Sequence, residues 1–177
     1  METLNPLMIR YAAIAENDLV DGDGWSVSLW FQGCPHHCQG CHNPELWDFS
    51  GGTLDSVFTV IQKLEKAIYA NGISRNLSIL GGEPLCKENV LATETIALYF
   101  KLNHPEIKIY IWTGYTYEEL IKNKKLYDII LNNIDVLIDG KYEERWRDVS
   151  LHLRGSSNQR VIDINKTREK GEIVLCY

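Results

Sequence analysis

Four short apolar runs, Val27–Phe31, Leu77–Leu80, Ile107–Trp112 and Val136–Ile138, are separated by stretches with helical periodicity. Their length and their Val and Ile content suit strands, and each stops abruptly at a glycine-, cysteine- or aspartate-bearing loop. The first helix is expected to be capped by Thr53, with Leu54, Val57, Phe58, Ile61, Leu64 and Ile68 on one face and a stop at Asn71-Gly72. A second opens at Asn89, carries Val90, Leu91, Ile96, Ala97 and Phe100, and ends at Asn103-His104-Pro105, because the residue before proline resists the helical region. Glu118–Lys122 and Lys125–Leu131 supply further helix. Alternation of this kind implies a parallel sheet with helices covering it, so the fold class is α/β. With 177 residues the chain is too short for eight units, and an incomplete parallel (βα) barrel or a curved open sheet is expected. Residues 1–24 look irregular, with a turn at Asp21-Gly22-Asp23-Gly24, and Arg160–Ile164 and Ile173–Cys176 look like strands.

Parallel strands joined by crossover helices bring their C-terminal loops to one edge, where α/β folds bind ligands. The loops gathered there are Gly33–Asn43, Gly81-Gly82-Glu83-Pro84, Thr113-Gly114-Tyr115-Thr116 and Asp139-Gly140. The first holds Cys34, Cys38 and Cys41, spaced C-x₃-C-x₂-C, three of the five cysteines of the chain. Such close spacing leaves little room for a relaxed disulfide, and an odd number of cysteines cannot all pair. A metal centre is the better account. A structural zinc site needs four ligands, and His36, His37 or His42 would have to complete it. An iron–sulfur cube held by three cysteines would instead keep one iron free of protein ligands. The residues alone leave both open.

Composition narrows the setting. At 45% hydrophobic the chain has enough apolar surface for a real core, and one domain spanning residues 1–177 is expected. No apolar run approaches the roughly 20 residues of a membrane span. Met1–Leu7 lacks the basic and long apolar regions of a signal peptide. A cytoplasmic protein with reduced thiols follows as the expectation. The net charge of −6 argues against a nucleic-acid partner.

The C-x₃-C-x₂-C triplet at the end of the first strand resembles the radical S-adenosylmethionine (SAM) superfamily. Val20–Gly24, Gly33–Asn43, Gly81–Pro84, Trp112–Tyr115, Val136–Gly140 and Arg154-Gly155-Ser156-Ser157-Asn158-Gln159 follow in this order. Together they are similar to the activating enzymes of anaerobic (class III) ribonucleotide reductase, over about residues 18–165. The resemblance implies an incomplete barrel of the radical SAM type. It also implies a [4Fe–4S] cluster with Cys34, Cys38 and Cys41 each on one iron and SAM on the fourth. One electron would cleave SAM to a 5′-deoxyadenosyl radical, which would take a hydrogen from a glycine of the reductase. No catalytic side chain beyond the cluster and SAM is implied.

On the same resemblance Gly81, Gly82 and Glu83 would meet the methionine part of SAM, and Gly40, Cys41 and His42 would lie near its adenine end. Two glycines let a ligand approach the backbone, and Glu83 offers a carboxylate to an ammonium group. Thr113 and Asp139 are candidates for the SAM pocket or for capping a helix or turn, and Trp112 for the core. Arg154–Gln159 is either a surface loop or a set of donors to SAM or to the reductase. His36, His37 and His42 are expected to be polar loop residues, and Cys86 and Cys176 bystanders. The implied partners are the reductase's glycyl-radical subunit and an electron donor such as flavodoxin or a small thiol or iron–sulfur reductant. An activase of another glycyl-radical enzyme and a zinc-stabilised binding module are the alternatives.

Overall fold

The computed structural model describes residues 7–177. The expectation about a signal peptide therefore falls, except for Leu7, outside the described residues. In chain order β1 (Met8–Asp18), β2 (Ser26–Phe31) and β3 (Thr53–Ser56) lead into α1 (Val57–Ile68). There follow β4 (Asn76–Gly81), α2 (Val90–Asn103), β5 (Ile109–Trp112), α3 (Tyr117–Lys122) and α4 (Lys124–Asn132). Then come β6 (Val136–Asp139), β7 (Arg160–Asp163) and α5 (Ile164–Lys170).

The strands form one seven-stranded sheet in the order β3-β1-β2-β4-β5-β6-β7, open at β3 and β7. β2, β4, β5 and β6 are parallel, as the alternation requires. β1 and β3 extend one side and β7 the other with antiparallel pairings. Among the described residues no helix is long and apolar enough to cross a membrane.

The two faces of the sheet are covered differently. Alternation sends Val27, Leu29 and Phe31, then Leu77 and Ile79, then Ile109 and Ile111, to one face. There they join Val60, Leu64, Ile96, Phe100 and Ile130 of the helices in the main buried cluster. The other face presents Trp30, Leu80, Tyr110, Trp112, Val136 and Ile138. Among the described residues it has no helical layer: Tyr110, Val136, Ile138 and Val161 pack with Leu153, from the loop between β6 and β7. Toward β1 this face turns polar, where Ser28 donates to Asp18 (2.6 Å) and Ser78 donates to the Asp21 carbonyl.

Four local expectations are corrected. Residues 8–18, read as irregular, form β1; only Ile9 and Tyr11 alternate as buried residues, and two bulges break the register beyond them. Thr53 does not cap α1. Residues 53–56 pair with β1, and Ser56 is the cap, accepting from the Thr59 amide at 3.0 Å. Leu54 and Phe58 happen to fall in phase with the helix yet are exposed. Ile164 begins a helix: Asp163 accepts from the Lys166 amide at 2.9 Å, and Gly171 closes it with φ +71°. Residues 173–176 make a short antiparallel contact with β7 through Ile162 and Leu175 instead of a full strand.

Candidate metal centre and cofactor cleft

The cysteine loop leaves β2 at Phe31 and is held at its base by backbone groups from three directions. Gly33 and Cys34 donate to the carbonyls of Leu46 and Trp47 at 2.8 and 3.2 Å, and the Gln32 side chain donates through Nε2 to the Glu45 and Asp48 carbonyls. The Glu83 amide donates to the Gly33 carbonyl at 2.8 Å. Asn89 precedes α2 but makes no side-chain cap; its amide donates to the Gln32 carbonyl at 3.1 Å and the Glu83 carbonyl at 3.0 Å. Further along, the Cys41 amide donates to the Cys38 carbonyl at 3.1 Å, folding the second and third cysteines onto one turn.

All three thiols are free, Cys34 buried and Cys38 and Cys41 half-buried. Burial pushes the Cys34 thiol up to about 11, with the Glu83 carboxylate and Cys38 adding to the effect. Burial and Cys41 raise Cys38. A metal centre here would displace these protons, since the thiolate is the ligand. Among the described residues no three His, Cys, Asp or Glu side chains converge to hold a single metal ion. A cluster makes no such demand, because each thiolate takes its own iron. Three free thiols on one tied loop are a donor set that fits it.

Beside the third cysteine lies a cleft of about 430 Å³ on the helix-free face of the sheet, a volume typical of small-molecule sites. Its floor is Trp30, Leu80, Gly81 and Trp112, from the C-terminal ends of β2, β4 and β5. One wall is Cys41, His42 and Asn43; the others are Val20 and Asp21, and Leu153, Arg154 and Gln159. The strand ends converge, and the cleft lies over the face that, among the described residues, no helix covers.

The expected ligand residues divide into two groups. Cys41, His42 and Gly81 line the cleft. Gly40 does not, although it adjoins Cys41; its φ of +75° and missing Cβ let the Glu144 carboxylate pack against it. Gly82 faces the cysteine loop, where a Cβ would collide with the Gly33 carbonyl oxygen. Glu83, 1% exposed, has no free oxygen for an ammonium. Oε1 accepts from Thr113 Oγ1 (2.8 Å) and the Leu85 amide (2.9 Å), and Oε2 from the Gly114 amide (2.7 Å) and His36 Nε2 (2.8 Å). Thr113 is thus spent on Glu83 and on the Tyr115 amide, away from the cleft. Asp139 is also internal: it accepts from the Tyr117 amide at 2.7 Å and pairs with Arg160. Of its two expected roles, fastening the helix start is the one its bonds perform.

Trp30, Leu80 and Asp21 were not legible as cleft residues. Trp30 and Leu80 looked like ordinary strand residues, and Asp21 like part of a turn. Burial next to Asp18 pushes the Asp21 carboxyl up to about 7; two aspartates three positions apart at a strand end were the available signal. Arg154 donates to the Gln159 carbonyl at 2.8 Å, while its Nε is buried without a partner. Trp112 is half-buried on the cleft floor, its indole donating to the Leu153 carbonyl at 2.8 Å.

The class these features define is an iron–sulfur protein: the family of 4Fe-4S single cluster domains matches residues 20–162. Relatives narrow it. The anaerobic ribonucleoside-triphosphate reductase-activating protein of Haemophilus influenzae is 37% identical over 153 residues, covering 85% of this chain and 96% of its own. That of Enterobacteria phage T4 is 36% identical over 156 residues, covering 86% and 93%. That of Escherichia coli K12 is 33% identical over 142 residues, covering 80% and 90%. The chain belongs to the family of anaerobic ribonucleoside-triphosphate reductase-activating proteins.

Proposed function

We propose that this chain is the activating enzyme of an anaerobic ribonucleoside-triphosphate reductase and generates the glycyl radical on that partner. The observation that carries the reading is the position of Cys41, which belongs both to the tied cysteine loop and to the wall of the cleft. Cys34, Cys38 and Cys41 hold a [4Fe–4S] cluster with one iron left for SAM, and the whole chain acts as one domain whose open sheet is an incomplete (βα) barrel of the radical SAM type. A cluster held by these three thiolates would supply the one-electron chemistry for reductive cleavage of SAM, from which the hydrogen abstraction at the partner's glycine would follow.

The residues of the chain orient this chemistry and shield it. Trp30, Leu80 and Trp112 on the floor and Leu153 in the wall give the cleft an apolar lining that keeps water from a reactive carbon. Gly81, at φ +98°, lines the cleft, and its missing Cβ leaves room for the Phe31 backbone of β2. His42 flanks Cys41, and Arg154 and Gln159 offer donors from the opposite wall. Gly82, Glu83, Thr113 and Asp139 serve from behind, holding the rim loops in place. The electron comes from a cytoplasmic carrier such as flavodoxin or a small thiol or iron–sulfur reductant.

The test is anaerobic reconstitution with iron and sulfide, followed by an EPR titration of the reduced protein with SAM. A signal that changes on adding SAM, and a glycyl radical formed on the reductase subunit, are expected. Roughly one zinc per chain with no SAM binding would overturn the proposal, as would a radical formed only on a different glycyl-radical enzyme.

A further inference from the structure

The three histidines of the cysteine loop have different surroundings. His37 stacks on Trp47 with ring centroids 4.8 Å apart, and His42 leans on Tyr142 at 5.6 Å; both are exposed. The His36 side chain is 7% exposed and enclosed on several sides. Its Nε2 lies 2.8 Å from Glu83 Oε2, and its ring meets Tyr115 edge-on at 4.7 Å. Against its ring lies Gly114, where a Cβ would overlap His36 Nε2 and Cδ2. The Gly114 amide donates to the same Glu83 oxygen that faces His36.

We propose that His36 is a positioning residue for the iron–sulfur cluster. Locked by Glu83, Gly114 and Tyr115, it fixes the path of the chain between Cys34 and Cys38. The Nε2–H tautomer donates to the buried carboxylate, so no charge on the ring is required. Glu83 cannot turn to follow a displaced ring, because Thr113, Gly114 and Leu85 hold its oxygens. The missing side chain at Gly114 therefore has a use: it makes room for the ring. The Gly-Gly-Glu-Pro and Thr-Gly-Tyr-Thr loops thus act on the cluster through His36. This inference rests on the assignment of Cys34, Cys38 and Cys41 as ligands.

The experiment is a double-mutant cycle between His36→Ala and Gly114→Ala, with His36→Gln as the conservative variant. Each reconstituted protein is assayed for iron content, for the rate at which a chelator bleaches the cluster, and for its reduced EPR spectrum. His36→Ala should bleach about tenfold faster, a loss of the order seen when the partner of a metal ligand is removed, with a broadened EPR signal. His36→Gln keeps an amide donor and should recover most of the difference. Gly114→Ala should resemble His36→Ala, and the double variant should be no worse than His36→Ala, because the ring that the new methyl strikes is gone. Wild-type bleaching and an unchanged spectrum in His36→Ala would overturn the proposal. So would effects of the two substitutions that simply multiply.

A second readout separates this inference from the ligand assignment. In cluster-free protein, His36→Ala should raise the alkylation rate of buried Cys34 severalfold. That result, with a wild-type chain that takes up no iron, would leave the loop-positioning role intact and overturn the metal reading. No change in alkylation would count against His36 whatever the cluster does.

Discussion

The two ends of the cysteine loop are built to different specifications. At the Cys34 end the backbone is tied by Leu46, Trp47, Glu83 and Asn89, and the thiol is buried. At the Cys41 end the chain is half-exposed and opens on the cleft with His42 and Asn43. One end is anchored and the other opens on the cleft. A cluster seated across this loop, as proposed, would be rigid on its protein side and accessible on its cleft side.

The largest effects come from the thiols, which span both ends. Cys34→Ala, Cys38→Ala and Cys41→Ala should each abolish reductive SAM cleavage, measured as 5′-deoxyadenosine release. Retention of full activity in any of them would refute the ligand set. Next is Gly82, at the anchored end. If Gly82 met the methionine part of SAM, as the resemblance implies, a bulky residue there would weaken SAM binding more than cluster assembly. The Gly33 carbonyl against Gly82 changes that expectation. Gly82→Val should push the two loops apart, costing about 1–3 kcal/mol and lowering iron incorporation together with SAM affinity. A variant with normal iron content but weak SAM binding would move Gly82 back to the ligand side.

The open end should behave in the opposite way. Arg154→Gln removes a cationic donor from the cleft wall without touching the cysteine loop. A charged hydrogen bond lost there costs about 1.5–3 kcal/mol, or roughly 10- to 100-fold in SAM affinity. Iron content and the EPR signal without SAM should stay at wild-type values. Unchanged SAM affinity, with weaker binding to the reductase, would assign Arg154 to the partner instead.

How much of this was legible in the sequence follows the same division. The parallel strands were readable because Val27–Phe31 and Leu77–Leu80 are apolar runs bounded by loops, and the cysteine triplet pointed to a metal centre while leaving its kind open. What periodicity cannot report is which polar groups face each other across loops distant in the chain. Glu83 looked like a ligand residue because a carboxylate beside two glycines invites an ammonium. Its four donors come from residues 36, 85, 113 and 114, a convergence that appears only after folding. For Thr113 and Asp139 the sequence offered two roles, SAM pocket or cap, and the bonds that suit the second, to the Tyr115 and Tyr117 amides, likewise appear only after folding. β1 escaped because its alternation fades after Tyr11, and α5 because it buries only Ile164 and Thr167.

Asp21 allows a pH test on the cleft wall. Its carboxyl is raised from the usual 3.8 to about 7 by burial and by Asp18. Between those values the folded state holds a proton that the unfolded state has lost, so this residue's contribution to stability falls as pH rises from about 4 to about 7. Asp21→Asn mimics the protonated form. It should stabilise the protein at pH 8 by about 1–2 kcal/mol, less than the full shift implies because the group is partly exposed, and give no gain below pH 4. Thermal melts at the two pH values check this; an equal gain at both would mean that the charge of Asp21 is not the cause.

The smallest effects belong to the cysteines outside the loop. Cys86 is 1% exposed, and burial pushes its thiol up to about 12, so it is an inert apolar group at neutral pH. It sits at the entrance to α2, where its carbonyl accepts from the Val90 amide at 2.9 Å, a bond that substitution of the side chain leaves in place. Cys86→Ala should cost about 1 kcal/mol for the lost sulfur contacts and leave iron content and SAM cleavage unchanged. Cys176 is exposed, on the short segment paired with β7, and Cys176→Ala should be silent in both assays. Loss of the cluster in either variant would mean that a thiol outside the loop is a ligand. The anchored end would then no longer be defined by Cys34 alone.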